Sequence, residues 1–457
     1  MLSIGLMTGT SMDGIDAALL ETDGEAVIVP RGHCAIDYDP AFKILLKSVE
    51  YAIWRFAGDV TQARLNYTAL LQTYLTDVLK NVATDLTPQL ANYLTGDPHQ
   101  PVSFDQVIAH STFLHVTAVN RLLEKTKQKV SDIDVIGYHG QAFFHRPSQG
   151  ISIVLGDGQS LADQLGITVV NNFRQRDVML GGQGAPFAPL YHQALAVRDN
   201  KIPLAVVNCG GIANITFITG ASLNDVCGFD TGPGNVLIDR YVQRRTLGKE
   251  FMDIDGKYGR CGKVDVGIMD LLHEQAVIIQ GSNFLNKKPP KALDSNDLQL
   301  TIELMTRLDQ LSLADACATL EAFTAQTIVS SLKQVDVKPN YWVLAGGGWN
   351  NPVILQALQQ QLCHQLGPAV QVKTADEFGW NSQAMEAQIF AYFAVRSLKN
   401  LPLSTPNTTG ISQAVSGGHA YLSKTSKPTS VVMQLLQANP AVLTGYIPIT
   451  PQDALSP

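Results

Sequence analysis

What constrains this chain most is a pattern that starts twice. From residue 3, the apolar run Ser3–Met7 enters the turn Thr8-Gly-Thr-Ser-Met-Asp-Gly14 and leaves as a second apolar run, Ile15–Thr22, which reads as a hairpin. From residue 203, Pro203–Asn208 enters Cys209-Gly-Gly-Ile-Ala-Asn214 and leaves as Ile215–Thr219. Helical spacing of leucine and alanine follows the first start, over about 61–86 and over Phe104–Thr126. After the second start, helices are predicted over Val236–Arg244 and Leu313–Leu332, and a late one over Ala384–Ser397. Further strands are predicted at Ile133–Tyr138, Ile151–Leu155, Ile167–Val170 and Tyr341–Ala345. Strands alternating with helices indicate an α/β architecture, and the duplicated start predicts two similar lobes with a cleft between them. The 457 residues suit two lobes of roughly 100–200 residues each. The expected division is a first lobe over 1–200, a second over 201–383, a stretch over about 384–422 that packs back on the first, and a tail over 423–457.

Composition removes several classes of function. A formal charge of −7 argues against a nucleic-acid binder, which usually shows a basic face. No run approaches the roughly 20 apolar residues of a membrane span, and Met1–Met7 lacks the basic start and long apolar run of a signal peptide. The six cysteines form no CxxC pair, so a reduced, cytoplasmic protein is expected.

Three glycine-rich turns sit where strands are predicted to end: Gly9–Gly14, Gly228–Asn235 and Gly346–Gly348. One such turn is commonplace. Three, spread over two repeated halves, suggest backbone that approaches phosphate oxygens and offers successive N–H groups to them. Thr8, Thr10 and Ser11 add hydroxyl donors. Asp230, in Phe229-Asp-Thr-Gly232, suits Mg²⁺, which prefers oxygen ligands, and it lies too far upstream to cap the helix near Val236, where Asn235 is better placed. Asp13 and Asp16 are ambiguous, because a carboxylate repels polyphosphate unless a cation intervenes, and Asp16 also fits a strand-edge role. Asp177, in Asn171-Asn-Phe-Arg-Gln-Arg-Asp177, has two arginines beside it that favour the charged form a general base needs; a plain Arg–Asp pair is the alternative. His139 and His145 lack the spacing of a helical zinc pair, and either touch a ligand or are satisfied internally.

Taken together, these segments resemble the anhydro-N-acetylmuramic acid kinase family. The resemblance runs through Gly9-Thr-Ser-Met-Asp-Gly-Ile-Asp16, Tyr138-His-Gly-Gln141, Asn172–Asp177 with Gly181-Gly-Gln-Gly-Ala-Pro186, and Asn208–Asn214. It continues through Gly228–Asn235, Ala318-Thr-Leu320, Gly346–Gly348 and Glu386-Ala387, and covers residues 1 to about 420. It implies the α/β, two-lobed actin-like ATPase (ribonuclease H-like) fold with an interlobe cleft, and MgATP as the phosphoryl donor. ATP is then expected at Gly9, Thr10, Ser11, Met12, Asp13, Gly14, Ile15 and Asp16. It is also expected at Gly210, Gly211 and Asn214, at Thr231, Gly232, Gly234 and Asn235, and at Gly346, Gly347 and Gly348. Asp230 is the expected metal ligand. His139, Gln141, Arg174, Arg176 and Glu386 are the expected contacts to an amino sugar, with an arginine on its lactyl carboxylate. The aspartate matching Asp177 activates water against the anomeric carbon, and the freed 6-oxygen attacks the γ-phosphate, giving N-acetylmuramic acid 6-phosphate and ADP. The implied partners are small molecules, with no nucleic acid and no membrane, and with room for a homodimer.

This chain departs from the pattern in three places. Met7 stands where most of the superfamily has an aspartate, as is usual for this family. Pro289-Pro-Lys291 is followed by Ala-Leu-Asp-Ser-Asn-Asp297, where the family usually has Ser-Thr-Gly-Arg-Glu. The tail beyond about 422 has no counterpart. The rival readings are a kinase for another amino sugar and a non-catalytic nucleotide-dependent binding protein on the same fold.

Overall fold

The computed structural model describes residues 1–9, 11–79, 86–279, 281–293, 298 and 300–444. They form two compact units, the first from Met1–Phe187, Gln383–Thr405 and the chain beyond Ile411, the second from Ala188–Ser382 with Pro406–Gly410.

In the first unit, β1 (Leu2–Met7) pairs antiparallel with β2 (Gly14–Thr22), which pairs antiparallel with β3 (Ile28–Asp37). On its other side β1 runs parallel to β4 (Val135–Tyr138), and β4 runs parallel to β7 (Thr168–Asn171). Between them β5 (Gln141–Arg146) and β6 (Ile151–Leu155) form a separate ribbon. In the second unit, β8 (Leu204–Cys209), β9 (Ile212–Ile218) and β10 (Val226–Pro233) repeat the antiparallel meander. After a short ribbon of β11 (Ile278–Ile279) and β12 (Ser282–Asn283), β13 (Tyr341–Ala345) and β14 (Gln371–Thr374) extend the sheet in parallel from β8. The orders β7-β4-β1-β2-β3 and β14-β13-β8-β9-β10 are the same topology. The duplicated start of the sequence is therefore a duplicated fold, the ribonuclease H-like sheet of actin-like ATPases. β15 (His419–Tyr421) closes the first sheet antiparallel to β7.

The helix Met385–Leu398 is apolar on every side, with all but Glu386 buried, as expected for a helix enclosed in a core. It lies on the first sheet at backbone contact. A Cβ on Gly5 of β1 would stand 1.7 Å from the Ala387 carbonyl oxygen, and one on Gly137 of β4 would stand 1.9 Å from that of Phe390. Ser3 adds a bond from its hydroxyl to the Ala391 carbonyl at 2.8 Å. This helix thus returns to the first unit.

Other expectations need correction. Gly228–Asn235 is not a loop. Val226–Pro233 is a strand held against β9, with a register shift between Asp230 and Gly232 that absorbs the glycine and proline. The helical run from 61 is the helix Val60–Thr73, which widens into a π turn over Tyr74–Val78; 80–85 lie outside the described residues. The first unit ends at Phe187 and not at 200, because the helix Ala188–Arg198 packs on β9 and β10. The described part of the tail is an arm of the first unit. Its helix Ser430–Ala438 buries Val432 and Leu436, and Asn439 donates to the Ser397 carbonyl at 3.0 Å. Residues 445–457 lie outside the described residues.

The helix-on-glycine contact leads to a prediction. Gly5→Ala forces a methyl into a peptide group and is expected to cost about 3 kcal/mol or more. Gly267→Ala, on a helix where the nearest atom to a new Cβ is 3.5 Å away, is expected to be neutral or stabilising by about 0.5–1 kcal/mol. Urea midpoints measure both, and a Gly5→Ala variant as stable as the parent would contradict the packing.

Candidate active site

The first unit gathers its chemistry around Asp177. After β7 the chain turns through Asn172, at φ 58°, into the short helix Gln175–Met179 that carries this aspartate. Asp177 is 2% exposed. Its Oδ1 accepts from the Gly184 N–H at 2.6 Å, and its Oδ2 accepts from the Ser404 hydroxyl at 2.5 Å. A Cβ on Gly182 would stand 2.2 Å from Oδ1, so that glycine lets the loop fold over the carboxylate. Donors on both oxygens orient the group.

Arg174 is tied into the same cluster. Its Nε donates to His139 Nε2 at 3.1 Å and its Nη1 to the Gly184 carbonyl at 2.8 Å. Gly184 therefore holds the arginine through its oxygen and the aspartate through its nitrogen. Arg176 points elsewhere, to the Ser416 carbonyl at 3.4 Å. His139 is buried, and its Nδ1 donates to the Gly140 carbonyl at 2.8 Å, which makes Nε2 the acceptor for Arg174. Burial, and then the neighbouring Arg174, push its pKa down to about 3, so the ring is neutral. Gln141 is also buried and donates to the Gly9 carbonyl at 3.1 Å. His139, an expected sugar contact, is thus committed to the protein and positions Arg174, whereas Gln141 holds the first turn through Nε2 and keeps a buried Oε1 without a hydrogen-bond partner.

In that turn, Thr8 donates to the Gly140 carbonyl at 3.0 Å and the Met12 N–H to the Gly9 carbonyl at 3.1 Å. The side chains of Met12 and Ile15 are buried in the core and offer ATP nothing, a correction to the expected set. Gly14 fits beneath β3, where a Cβ would stand 2.3 Å from the Ile36 carbonyl oxygen. Asp13 pairs with Lys43 at the surface and also bonds Ser11, which lowers its pKa. Thr10 lies outside the described residues. Asp16, on β2, is half-buried and its pKa is raised by burial. Glu386 keeps solvent access yet is closely surrounded by protein, and its pKa is raised first by burial and then by Asp16, against the pull of Arg174.

In the second unit, the turn Gly346–Gly348 follows β13 and packs on the end of β8. A Cβ on Gly346 would stand 2.5 Å from the Cys209 carbonyl oxygen, and one on Gly348 would stand 2.5 Å from the Cys209 sulfur. Gly346, Gly347 and Gly211 are exposed, so backbone near the ends of β8 and β13 is open to a ligand. The Gly232–Asn235 amides differ from expectation. The N–H groups of Gly234 and Asn235 donate to the carbonyls of Gly211 and Gly210 at 2.9 and 2.8 Å, and Thr231 donates to the Ala213 carbonyl at 3.1 Å. These donors hold one turn against another and do not form an open anion cradle. Asn214 pairs with Asp230 across β9 and β10. Asn235 caps the helix Val236–Arg245 by position, without a side-chain bond.

Asp230 is closely surrounded, and burial raises its pKa to about 6 against the pull of the Leu293 N–H, 2.7 Å from Oδ2, and of Lys291. The partner peptide comes from the segment that departs from the family pattern, of which 294–297 lie outside the described residues. Among the described residues no three His, Cys, Asp or Glu side chains gather to hold a metal. A single recessed carboxylate does fit Mg²⁺, which keeps most of its waters. Sequence reasoning missed Ser404 and the role of Gly184. No pattern flags a serine 227 positions from its partner, whereas the glycines around 181–184 did mark a tight loop.

The family model described as anhydro-N-acetylmuramic acid kinase matches residues 57–423. The anhydro-N-acetylmuramic acid kinase of Methylobacterium nodulans is 37% identical over 421 residues, covering 92% of this chain and 99% of its own. That of Azorhizobium caulinodans is 38% identical over 421 residues, covering 92% and 98%. That of Nitrobacter winogradskyi is 37% identical over 424 residues, with the same coverage. Among solved structures, a ROK family glucokinase from Streptomyces griseus, in complex with glucose and AMPPNP, matches at 10% identity. It covers 86% of this chain and 98% of its own with a TM-score of 0.37, a likeness too loose to carry weight.

The raised pKa of Asp230 has a measurable consequence. A carboxyl at about 6 when folded, against 3.8 ordinarily, holds its proton more tightly in the folded state. Its contribution favours folding at low pH and is lost as pH rises through about 4 to about 6. Asp230→Asn keeps an oxygen for the Leu293 N–H and removes the charge. Without metal, this variant is expected to exceed the parent in urea midpoint at about pH 7.5, by a margin that shrinks toward about pH 4. A margin independent of pH would contradict the burial of this charge.

Proposed function

The chain belongs to the anhydro-N-acetylmuramic acid kinase family, and we propose that Asp177 is the base with which it opens the anhydro sugar while the second unit holds ATP. The reaction converts 1,6-anhydro-N-acetylmuramic acid, water and ATP into N-acetylmuramic acid 6-phosphate and ADP, a step in the recycling of peptidoglycan. Water attacks the anomeric carbon and gives a proton to Asp177. The bond from that carbon to the 6-oxygen breaks, and the freed oxygen attacks the γ-phosphorus, expelling ADP.

The observation that carries this assignment is the setting of Asp177. It is buried, and donors on both oxygens fix the orientation of its carboxylate. Arg174 would bring positive charge for the lactyl carboxylate, and Glu386 and Asp16 would serve sugar hydroxyls or the phosphate end. Exposed backbone at Gly211 and at Gly346–Gly347 receives the nucleotide phosphates. Asp230 would hold Mg²⁺. Bound with ATP, the ion supplies charge stabilisation on the β- and γ-phosphates. None of the six cysteines is in a disulfide, which supports a reducing, cytoplasmic setting.

ADP release should be followed over a panel of amino sugars with and without the 1,6-bridge. The bridged muramic sugar is expected to be turned over far faster than N-acetylmuramic acid or N-acetylglucosamine. Asp177→Asn keeps the shape but cannot take a proton, and is expected to lose about 10²–10⁴-fold or more in rate. Sugar opening and ADP release should fall together while binding of both substrates persists. Equal turnover of open and bridged sugars, or ADP release by the variant at the parent rate, would overturn the assignment.

A further inference from the structure

With His139 committed internally, the sugar needs other recognition, and the first unit offers a cavity of about 270 Å³ for it. His139 and Gly140 line one side of it, the strand Ile153–Leu155 of β6 a second, and Asn171, Asn172 and Gln175 a third, with Tyr421 from the C-terminal arm beside them. No lining side chain carries a formal charge, since His139 is neutral, so a carboxylate or phosphate would find no counter-ion in the lining. Asn171 bonds the Tyr421 hydroxyl, and its Oδ1 is buried without a hydrogen-bond partner. A buried acceptor of this kind calls for an N–H from whatever fills the cavity. The apolar Ile153–Leu155 wall calls for a small apolar group. The cavity is also coupled to the base. His139 accepts from Arg174, which reaches the Gly184 carbonyl, and the Gly184 N–H holds Asp177.

Of the groups on a 1,6-anhydro-N-acetylmuramic acid, the acetamido alone joins an N–H donor to a methyl without charge. It is borne on the carbon next to the one that water attacks, which suits a cavity linked to the base. We propose that this cavity seats the 2-acetamido group of the substrate, with Asn171 Oδ1 accepting its N–H and the Ile153–Leu155 strand facing its methyl. The assignment rests on the kinase reading above, and makes Asn171 a specificity determinant.

The test compares kcat/KM for 1,6-anhydro-N-acetylmuramic acid with that for the analogue bearing a 2-hydroxyl in place of the acetamido group. The parent is expected to prefer the acetamido sugar by at least about tenfold, and Asn171→Ala to cut that preference by about tenfold, mainly through KM. Val154→Phe, which fills the cavity from the strand side, is expected to cut it similarly, and serves if the Asn171 variant fails to fold. A folded variant that keeps the parent's preference, or loses rate equally on both sugars, overturns the cavity assignment alone. A parent that turns over neither sugar overturns the kinase reading and the cavity with it.

Discussion

The backbone contact between the helix Met385–Leu398 and the first sheet is the constraint on which the active-site half of that unit depends. Two missing side chains, at Gly5 and Gly137, let the helix settle onto β1 and β4 at a distance no alanine would permit. That placement sets Glu386, at the helix start, within electrostatic reach of Asp16 and Arg174. Beyond the helix end, the bridge between Ser404 and Val415 fixes the segment whose hydroxyl meets Asp177. Asp177 is therefore held by parts of the chain more than two hundred residues apart, and a loosened helix would release the Ser404 hydroxyl along with Glu386.

The two units share a topology and use it differently. In the first, the turn after β1 is pinned from β4 and β5 by Thr8 and Gln141, and the chemistry hangs from the loop after β7. In the second, the turn after β8 bonds to Gly234 and Asn235, and exposed glycine backbone after β13 is what remains for a ligand. Glycine thus serves close packing at Gly234, where a Cβ would stand 2.0 Å from the Gly210 carbonyl oxygen, and access at Gly347, where nothing lies within 4 Å.

Much of this was legible in the sequence. The repeated strand–turn–strand start foretold the duplicated sheet, because strand signals are local and the same five-strand order follows from both. The motif around Asp177 singled out a side chain that the structure buries, since an aspartate between arginines and a glycine cluster is a local signature too. Gly228–Asn235 was read as a loop because glycine and proline usually break strands; pairing of Val226–Pro233 with β9 along nearly its whole length overrides that preference. His139 was read as a ligand contact because residue type shows what a side chain can bond and not what already bonds it. Ser404 left no signal, because its meaning arises only from the fold. The segment beyond 422 read only as a tail for a similar reason, as its apolar residues matter only against the first unit.

The central claim is that Asp177 directs water to the anomeric carbon and that the 6-oxygen of the sugar, not water, receives the phosphoryl group. Running the reaction in ¹⁸O-labelled water and weighing the products by mass spectrometry tests it directly. The account predicts one labelled oxygen in N-acetylmuramic acid 6-phosphate, lodged at the anomeric hydroxyl, with an unlabelled phosphate group. Label in the phosphate group, or in free phosphate released in step with ADP, would contradict it.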